Sequence, residues 1–326
     1  MPILKRSFAA RLQSATLGTI LLFCGCNERI FEIQPVITVA DISLGESADV
    51  LAVCFPTPTI GWAITDTATI YRTTDGGSTW NSVSAPNDNL TYIAASSPLI
   101  AVLAADGRIY HTLDGGATWN DLGSGDYVGR TPEGTMVYLN CDFTSCQTYI
   151  SRNGGQTFSS STLIQGINAP FRDALIAGEF LYVVSDRSTD DVWLRGVDLA
   201  TGTLARFDLP ILSAGEFPNG LYRFGNRNYM TGPLGNLWDG TGDADVMRHD
   251  WHTFDFYDVD GTGDLVIAVG EQCIATNLNL GTEEYWNPVL DESGNGFPHT
   301  FYDIQYIDSE TFVVTGDRGL IWRAQL

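Results

Sequence analysis

The chain has 326 residues, with 39 acidic and 17 basic side chains and a net charge of −22. Glycine is frequent, at 34 residues, and charged residues make up only 17%, which suits short half-buried strands joined by tight turns better than helices or disorder. A surface this acidic repels phosphate groups, which argues against nucleic acid as a partner.

The first 25 residues have the features of a lipoprotein-type signal peptide. Three basic residues precede an apolar run, Ala15 to Phe23, that is too short to span a bilayer as a permanent helix. The segment Phe23 to Cys26 resembles a bacterial lipobox, which implies that Cys26, preceded by the small residue Gly25, is lipidated. An ordinarily cleaved secretory signal is the alternative. On either interpretation the mature chain leaves the cytoplasm, to the periplasm or the cell surface.

Processing after residue 25 would remove three of the 17 basic side chains and no acidic one. The mature chain would then carry 14 basic and 39 acidic side chains, no lysine and a net charge near −25. Residues 26–30 would form a short tether, and attachment to the membrane would be by the lipid anchor only.

A repeated motif, Thr-x-Asp-Gly-Gly-x-Thr-Trp, dominates the next part of the chain. It occurs at Thr73 to Trp80 and Thr112 to Trp119, and in weakened form at Ser151 to Phe158. Successive motifs are 39 residues apart. A period near forty residues, combined with strand-and-turn composition, predicts propeller blades of four strands each. We therefore expect one all-β propeller domain over residues 31–326.

The same spacing predicts seven blades. Beyond the third motif, strand-like pairs recur at residues 180–185 and 192–197, 228–231 and 236–239, 265–269 and 274–277, and 311–315 and 320–323. The seventh blade reaches the end of the chain without its outer strand. The extended apolar segment Phe31 to Ala40 is predicted to supply that strand, which would close the ring and cover an exposed sheet edge.

The repeated motif is interpreted as structural. Its Asp or Asn can accept hydrogen bonds from nearby N–H and hydroxyl groups, its glycines permit positive φ, and its aromatic residue can pack between blades. A catalytic or metal-binding role is the alternative, but equivalent residues of a propeller lie around its rim and cannot converge on one substrate. The structural residues are Thr73, Asp75, Gly77, Thr79, Trp80, Thr112, Asp114, Gly116, Thr118, Trp119, Ser151, Asn153, Gly155, Thr157 and Phe158.

Four cysteines lie in the predicted propeller. Cys141 and Cys146 flank a four-residue turn between two strand-like runs, and in an exported protein we expect them to form a structural disulfide. Cys54 and Cys273 lie in different repeats and are interpreted as small buried hydrophobic residues.

The motif is similar to the Asp box of the bacterial neuraminidase repeat. The segments Gly61 to Ile64, Thr69 to Gly77 and Val314 to Arg323 look most like the photosystem II assembly-factor-like propellers. This resemblance implies a seven-bladed propeller outside the cytoplasm and a role in protein assembly.

Members of that family meet their client through an arginine-rich surface. The resemblance therefore implies a binding patch if the arginines near the third strands gather on one face, whereas the alternative is that each neutralises a neighbouring aspartate. These arginines are Arg72, Arg108, Arg318 and Arg323.

Three further segments are weak candidates for sites. Asp258, Asp260 and Asp264 resemble the start of a calcium loop, but they fall where blade six needs its first hairpin turn and lack a bidentate glutamate. His249 and His252 lie on or beside an outer strand without a third metal ligand. A sialidase would need three converging arginines and usually a Phe-Arg-Ile-Pro start, and the nearest approach to that start, residues 171–173, falls in blade four rather than blade one.

The sequence therefore favours a non-enzymatic, envelope-anchored scaffold or assembly factor that binds another protein and needs no cofactor. The alternative is a carbohydrate-active enzyme or glycan-binding protein on the same fold, because a fold does not determine function. Two axial carboxylates could serve such an enzyme, although nothing in the sequence selects a pair.

Overall fold

The structure is a computed structural model that describes residues 17–20, 37–45, 47–165, 171–185, 193–208, 218–224, 227–233, 235–241, 246–250, 254–262, 265–278, 286–289 and 296–325. The described strands form seven antiparallel sheets. The prediction of an all-β, seven-bladed propeller closed by an N-terminal strand is confirmed. The described part of the chain includes no helix long and apolar enough to cross a membrane.

Each sheet is a meander of strands that follow one another along the chain. After β1 (Leu17–Ile20) and β2 (Ile37–Asp41), blade one contains β3 (Val50–Thr57), β4 (Ile60–Thr65), β5 (Ile70–Thr73) and β6 (Asn81–Val83). Blade two contains β7 (Leu90–Ala95), β8 (Ala101–Ala105), β9 (Arg108–Thr112) and β10 (Asn120–Ser124), and blade three contains β11 (Tyr127–Arg130), β12 (Met136–Cys141), β13 (Ser145–Ser151) and β14 (Ser159–Gln165).

The remaining blades follow the same order. Blade four contains β15 (Phe171–Ala177), β16 (Phe180–Ser185), β17 (Trp193–Asp198) and β18 (Leu204–Asp208), and blade five contains β19 (Gly220–Phe224), β20 (Arg227–Thr231), β21 (Asn236–Thr241) and β22 (Val246–Asp250). Blade six contains β23 (Phe256–Gly261), β24 (Leu265–Gly270), β25 (Cys273–Leu278) and β26 (Trp286–Pro288), and blade seven contains β27 (Phe301–Tyr306), β28 (Thr311–Gly316) and β29 (Ile321–Gln325).

The core lies between neighbouring blades. The second strands are covered on both faces, so that every residue of β8, β24 and β28 is buried. This explains why these strands are continuous apolar runs rather than alternating ones. The outer strands β6 and β10 contain no buried residue.

The first strand of each blade packs against the first strand of the next. Contacts connect β3, β7, β11, β15, β19, β23 and β27 into a closed ring around the propeller axis. Several inner strands carry polar residues that line the channel, such as the carboxyl groups of β15, β23 and β27.

The N-terminal segment completes blade seven. β2 pairs with β29, from Thr38 opposite Gln325 to Asp41 opposite Trp322. Residues 37–40 of the predicted closing segment Phe31 to Ala40 belong to this strand, and residues 31–36 lie outside the described residues. β1 pairs with the free edge of β2, although it belongs to the predicted signal peptide.

Candidate functional site

The three motifs form turns between the third and fourth strands of blades one to three, and we call the segments Thr73–Trp80, Thr112–Trp119 and Ser151–Phe158 the box turns. In the first, Asp75 Oδ1 accepts hydrogen bonds from the Thr73 hydroxyl at 2.7 Å and the Thr79 N–H at 2.9 Å. Asp75 Oδ2 accepts the Thr79 hydroxyl at 2.6 Å. The Thr73 oxygen in turn accepts the Gly77 N–H at 2.9 Å.

The other two box turns repeat this network. Asp114 accepts bonds from the Thr112 hydroxyl, the Thr118 N–H and the Thr118 hydroxyl at 2.8, 2.9 and 2.6 Å. In the third turn, Asn153 Nδ2 donates to the Thr157 hydroxyl at 2.8 Å, so that one bond runs in the opposite direction. An amide can therefore replace the carboxylate without loss of the turn.

The electrostatics of the box turns do not suit acid catalysis. Hydrogen bonds, chiefly from Thr79, lower the pKa of Asp75 to about 2. Those from Thr118 lower the pKa of Asp114 to the same value. Both groups are ionised acceptors at neutral pH and hold no proton to donate.

The box turns also attach each blade to its neighbour. Trp80 Nε1 donates to the Ile42 carbonyl at 2.9 Å, and Trp119 Nε1 donates to the Ser84 carbonyl at 3.0 Å. Gly77, at φ +90°, faces Ile42 so closely that an added Cβ would lie 2.3 Å from its Cδ1. Glycine is therefore required there by both conformation and space.

Two of the four predicted patch arginines are structural links. Arg72 Nη1 donates to the Pro98 and Gly115 carbonyls of blade two, both at 3.0 Å. Arg323 Nη1 makes the equivalent bonds to blade one, at 2.7 Å to Pro58 and 3.3 Å to Gly76. Each arginine therefore joins its own blade to the next at the box-turn end.

The other two arginines lie at the opposite end of the strands. Arg108, the first residue of β9, pairs with Asp121, and its Nε donates at 2.8 Å. Arg318 lies in the turn before β29, and its Nη2 donates to the Pro298 carbonyl at 2.9 Å. The four side chains do not form a single patch, because two lie toward the box-turn end of their strands and two at the opposite end.

The cysteines occupy structural positions. A disulfide joins Cys141 to Cys146 at the end of the β12–β13 hairpin. Cys54 and Cys273 are free and buried, and burial raises the pKa of their thiols to about 11 and about 12. Both thiols therefore stay protonated and unreactive at neutral pH.

The ring of first strands encloses a channel of about 830 Å³, to which all seven blades contribute. Arg130, at the last position of β11, is the only basic side chain among its described lining residues. The lining otherwise combines carboxyl groups with phenols. These residues are Glu133, Asp173, Asp258, Asp260, Asp303, Asp308, Tyr92, Tyr127, Tyr222, Tyr257, Tyr302 and Tyr306.

Carboxylates of blade six bind the exposed backbone edge of blade seven. Asp258 Oδ2 accepts the Ile304 N–H at 3.0 Å, and Asp260 Oδ2 accepts the Tyr306 N–H at 2.7 Å. These bonds satisfy backbone donors that no sheet partner reaches.

Blade seven repeats the arrangement on blade one. Asp303 Oδ2 accepts the Val53 N–H at 2.7 Å, and Gln305 Oε1 accepts the Phe55 N–H at 2.6 Å. Alternate inner side chains thus join consecutive blades around part of the channel.

The channel carboxyls retain protons more strongly than ordinary carboxyls. Burial raises the pKa of Asp173 to about 6 and that of Asp260 to about 7. Burial and the neighbouring charge of Asp303 raise the pKa of Asp258 well above its usual range, and burial also raises the pKa of Asp303. The Asp258–Asp303 pair therefore shares a proton.

The weak calcium and histidine candidates lie only partly within the described residues. Asp258 and Asp260 lie within β23 rather than in a hairpin turn, and Asp264 lies outside the described residues. His249 lies in β22, the outer strand of blade five, and His252 lies outside the described residues. No group of three metal-binding side chains occurs in the described ranges.

The channel carboxyls share a sequence signal that the calcium-loop interpretation of Asp258 and Asp260 does not use. The tripeptide Phe-x-Asp begins β15, β23 and β27, at Asp173, Asp258 and Asp303. In each strand the pairing register shifts between the Phe and the Asp, so that a bulge precedes the carboxyl. Bulges re-aim the side chains that follow them, and here those side chains line the channel.

The fold is similar to that of several solved propellers. YCF48 bound to D1 peptide matches with a TM-score of 0.67 and 15% identity over 88% of this chain and 95% of that one. YCF48 from Cyanidioschyzon merolae matches with a TM-score of 0.63 and 13% identity over 87% and 98% of the two chains. The WD40 propeller domain of Doa1 matches with a TM-score of 0.59 and 11% identity over 87% of this chain and 95% of that one. No family model and no curated protein matches the sequence.

Proposed function

We propose that the protein is a non-enzymatic, envelope-anchored scaffold that binds another protein at its central channel. The observation that carries this proposal is the channel itself, where side chains from all seven blades surround one space of about 830 Å³. The box turns, by contrast, use their polar groups to hold the blades together. A similar propeller, YCF48, has been solved with a bound D1 peptide, which supports a protein partner in general.

The strand count of blade seven supports removal of a signal peptide. Blades one to six have four strands each, whereas the seventh sheet has five because β1 adds to β2. Cleavage before Cys26 would remove β1 and leave β2 as an ordinary fourth strand. Export and lipidation at Cys26 remain part of the proposal, since residues 21–36 lie outside the described residues.

Site-specific photo-crosslinking in native envelopes tests the scaffold proposal. A photoreactive residue at Tyr257, on the channel wall, should capture a partner reproducibly. The same residue at Ser82, exposed on the outer strand β6, is the matched control and should capture none. Equal background labelling from both positions would contradict binding at the channel.

The channel carboxyls are the specific observation that favours a carbohydrate-active enzyme as the second candidate. A carboxyl with a pKa near 6 or 7 can act as a general acid, as glycosidases require. Glycan-panel turnover that survives Thr79→Ala but disappears in Asp173→Asn would establish this function in place of the scaffold.

A further inference from the structure

The outer strands of blades one to six carry features that protect their free edges. An unprotected edge strand offers its N–H and C=O groups to other chains, and short length, proline, bulges and charged residues discourage such pairing. β6 and β26 have three residues each, and β26 includes Pro288. A bulge interrupts the pairing of β10 and of β14 with the neighbouring strand. Arg206 and Arg248 lie in the middle of β18 and β22.

The outer edge of β2 has none of these features. Its residues Ile37 to Ala40 are uncharged and contain no proline, and the charged Asp41 lies at its end. It pairs with β29 without a register shift. This edge is instead covered by another strand, because β1 pairs with it antiparallel over four residues. Removal of β1 with the signal peptide would therefore expose an edge that is suited to pairing.

The backbone groups that β1 covers follow from the pairing on the other side of β2. The Ile42 N–H donates to the Ile321 carbonyl at 3.0 Å, so Ile42 faces the β29 side. In an antiparallel ladder the N–H and C=O of one residue point to the same side, and successive residues alternate. Ala40 therefore faces β29 as well, whereas Val39 directs its N–H and C=O toward Gly18 of β1.

The strand that replaces β1 in the mature chain is expected to have the same chemistry. β1 is the short uncharged segment Leu-Gly-Thr-Ile. A second copy of the chain suits the edge less well, because both copies would be strongly acidic and would repel each other. A strand pair of four residues is also far smaller than the interface of a stable dimer. A neutral or basic protein meets no such repulsion.

We propose that the outer edge of β2, exposed by removal of the signal peptide, binds an extended uncharged segment of the protein partner as an antiparallel fifth strand of blade seven. Main-chain hydrogen bonds supply the affinity in such added strands. This inference rests on the export and processing in the proposed function. It assigns a second interface, at the rim of the propeller and separate from the channel.

Fluorescence anisotropy with a labelled, blocked peptide of residues 15–22 tests the proposal. The mature chain that begins at Asn27 presents the free edge, whereas in the unprocessed full chain β1 already occupies it. We expect the mature chain to bind the peptide at least about tenfold more tightly than the full chain does.

Two methylated peptides test the pairing geometry. N-methylation of Gly18 removes the N–H that faces Val39, so the peptide should bind the mature chain about tenfold more weakly or worse. N-methylation of Thr19 is the matched control, because its N–H points away from β2, and it should change the affinity by less than about threefold.

Two variants of Ile37 locate the site on the protein. Ile37→Pro removes an N–H on the same side as that of Val39, and it lies outside the pairing with β29, which begins at Thr38. It should weaken the peptide by about tenfold without lowering the melting temperature. Ile37→Ala keeps the N–H and should bind the peptide like the unaltered mature chain.

Several results would overturn the assignment. These are no binding by the mature chain, equal binding by the full chain, or equal losses from the two methylated peptides. A dimer of the mature chain that Ile37→Pro dissociates would make a second copy the occupant instead. Mass spectrometry that finds the first 25 residues on the native protein would contradict the processing itself. If the Tyr257 probe captures a partner but the peptide does not bind, the scaffold function stands and this inference fails alone.

Discussion

Thr73 shows how much of a box turn depends on one hydroxyl group. The residue is fully buried, and its hydroxyl both donates to Asp75 and accepts the buried Gly77 N–H. Thr73→Val keeps the shape but leaves that N–H without a partner, so we expect a loss of about 1–3 kcal/mol in unfolding free energy. Urea denaturation measures this loss in unfolding free energy, provided that the variant keeps the m-value of the unaltered chain. Ser78→Ala, in the exposed part of the same turn, is the control, and equal effects of the two variants would contradict the network.

The channel carboxyls and the box-turn carboxyls are expected to change the folding stability with pH in opposite directions. Asp173 and Asp260 have raised pKa values in the folded state. Their contribution to the free energy of unfolding is therefore complete below the unfolded pKa near 3.8, and it is lost as the pH rises through the folded pKa values of about 6 and about 7. Asp75 and Asp114 have lowered pKa values in the folded state, so their contribution to the folding stability is lost as the pH falls toward 2. Stability should therefore be highest in mildly acidic solution.

Asp260→Asn tests the channel part of this prediction. The amide oxygen can still accept the Tyr306 N–H but cannot ionise, so the decline in stability between about pH 4 and about pH 7 should become smaller. Thermal melts across this range, compared with those of Asp88→Asn, provide the measurement. A decline as steep as in the unaltered chain would show that Asp260 does not contribute to it.

At the scale of elements, β2 is predicted to hold the ring closed. A mature chain that begins at Asp41 loses Thr38, Val39 and Ala40 from the pairing with β29, including the buried Val39. The exposed edge should lower the unfolding free energy by several kcal/mol or cause aggregation. Size-exclusion chromatography and melting measure both effects. Deletion of residues 27–30 alone is the control, and a truncated chain that melts like this control would rule out closure by β2.

The accuracy of the sequence predictions differs between elements for physical reasons. The second and third strands were placed correctly because burial on both faces makes them apolar, and the box turns mark where the third strands end. The inner strands of the later blades were not predicted, because strands such as β23 and β27 present carboxyl groups to the channel and so lack an apolar pattern. The Phe-x-Asp tripeptides can be recognised as a group only once the bulges are seen to place their carboxyl groups at equivalent positions of the channel wall.

The four arginines do not gather on one face for a related reason. Arg72 and Arg108 are both close to a third strand in the sequence, but one lies near the end of its strand and the other at the beginning. Spacing along the chain does not distinguish the two faces of a propeller, whereas the pairing of strands across the sheet shows on which face a residue lies.

At the scale of the whole molecule, the anchor proposal predicts a change of location. Cys26→Ala, expressed in a bacterium with lipoprotein processing, should move the protein from the membrane to the soluble fraction and abolish labelling by a palmitate analogue. Cys24→Ala is the matched control, because Phe23 before it does not fit a lipobox, and it should keep the label. Labelling that persists in Cys26→Ala would assign the lipid to another residue.

The closing strand gives the molecule a mechanical property. If the lipid is attached at Cys26, residues 27–36 connect it directly to β2, which is also the seam of the ring. Fully extended, ten residues span at most about 36 Å. A partner that pulls the propeller farther from the bilayer therefore puts tension on the pairing between β2 and β29. The force would act on the short ladder between β2 and β29 before it reached any other blade. Tension on the anchor would therefore separate β2 from β29, at the outer edge of blade seven, before any other strand pair.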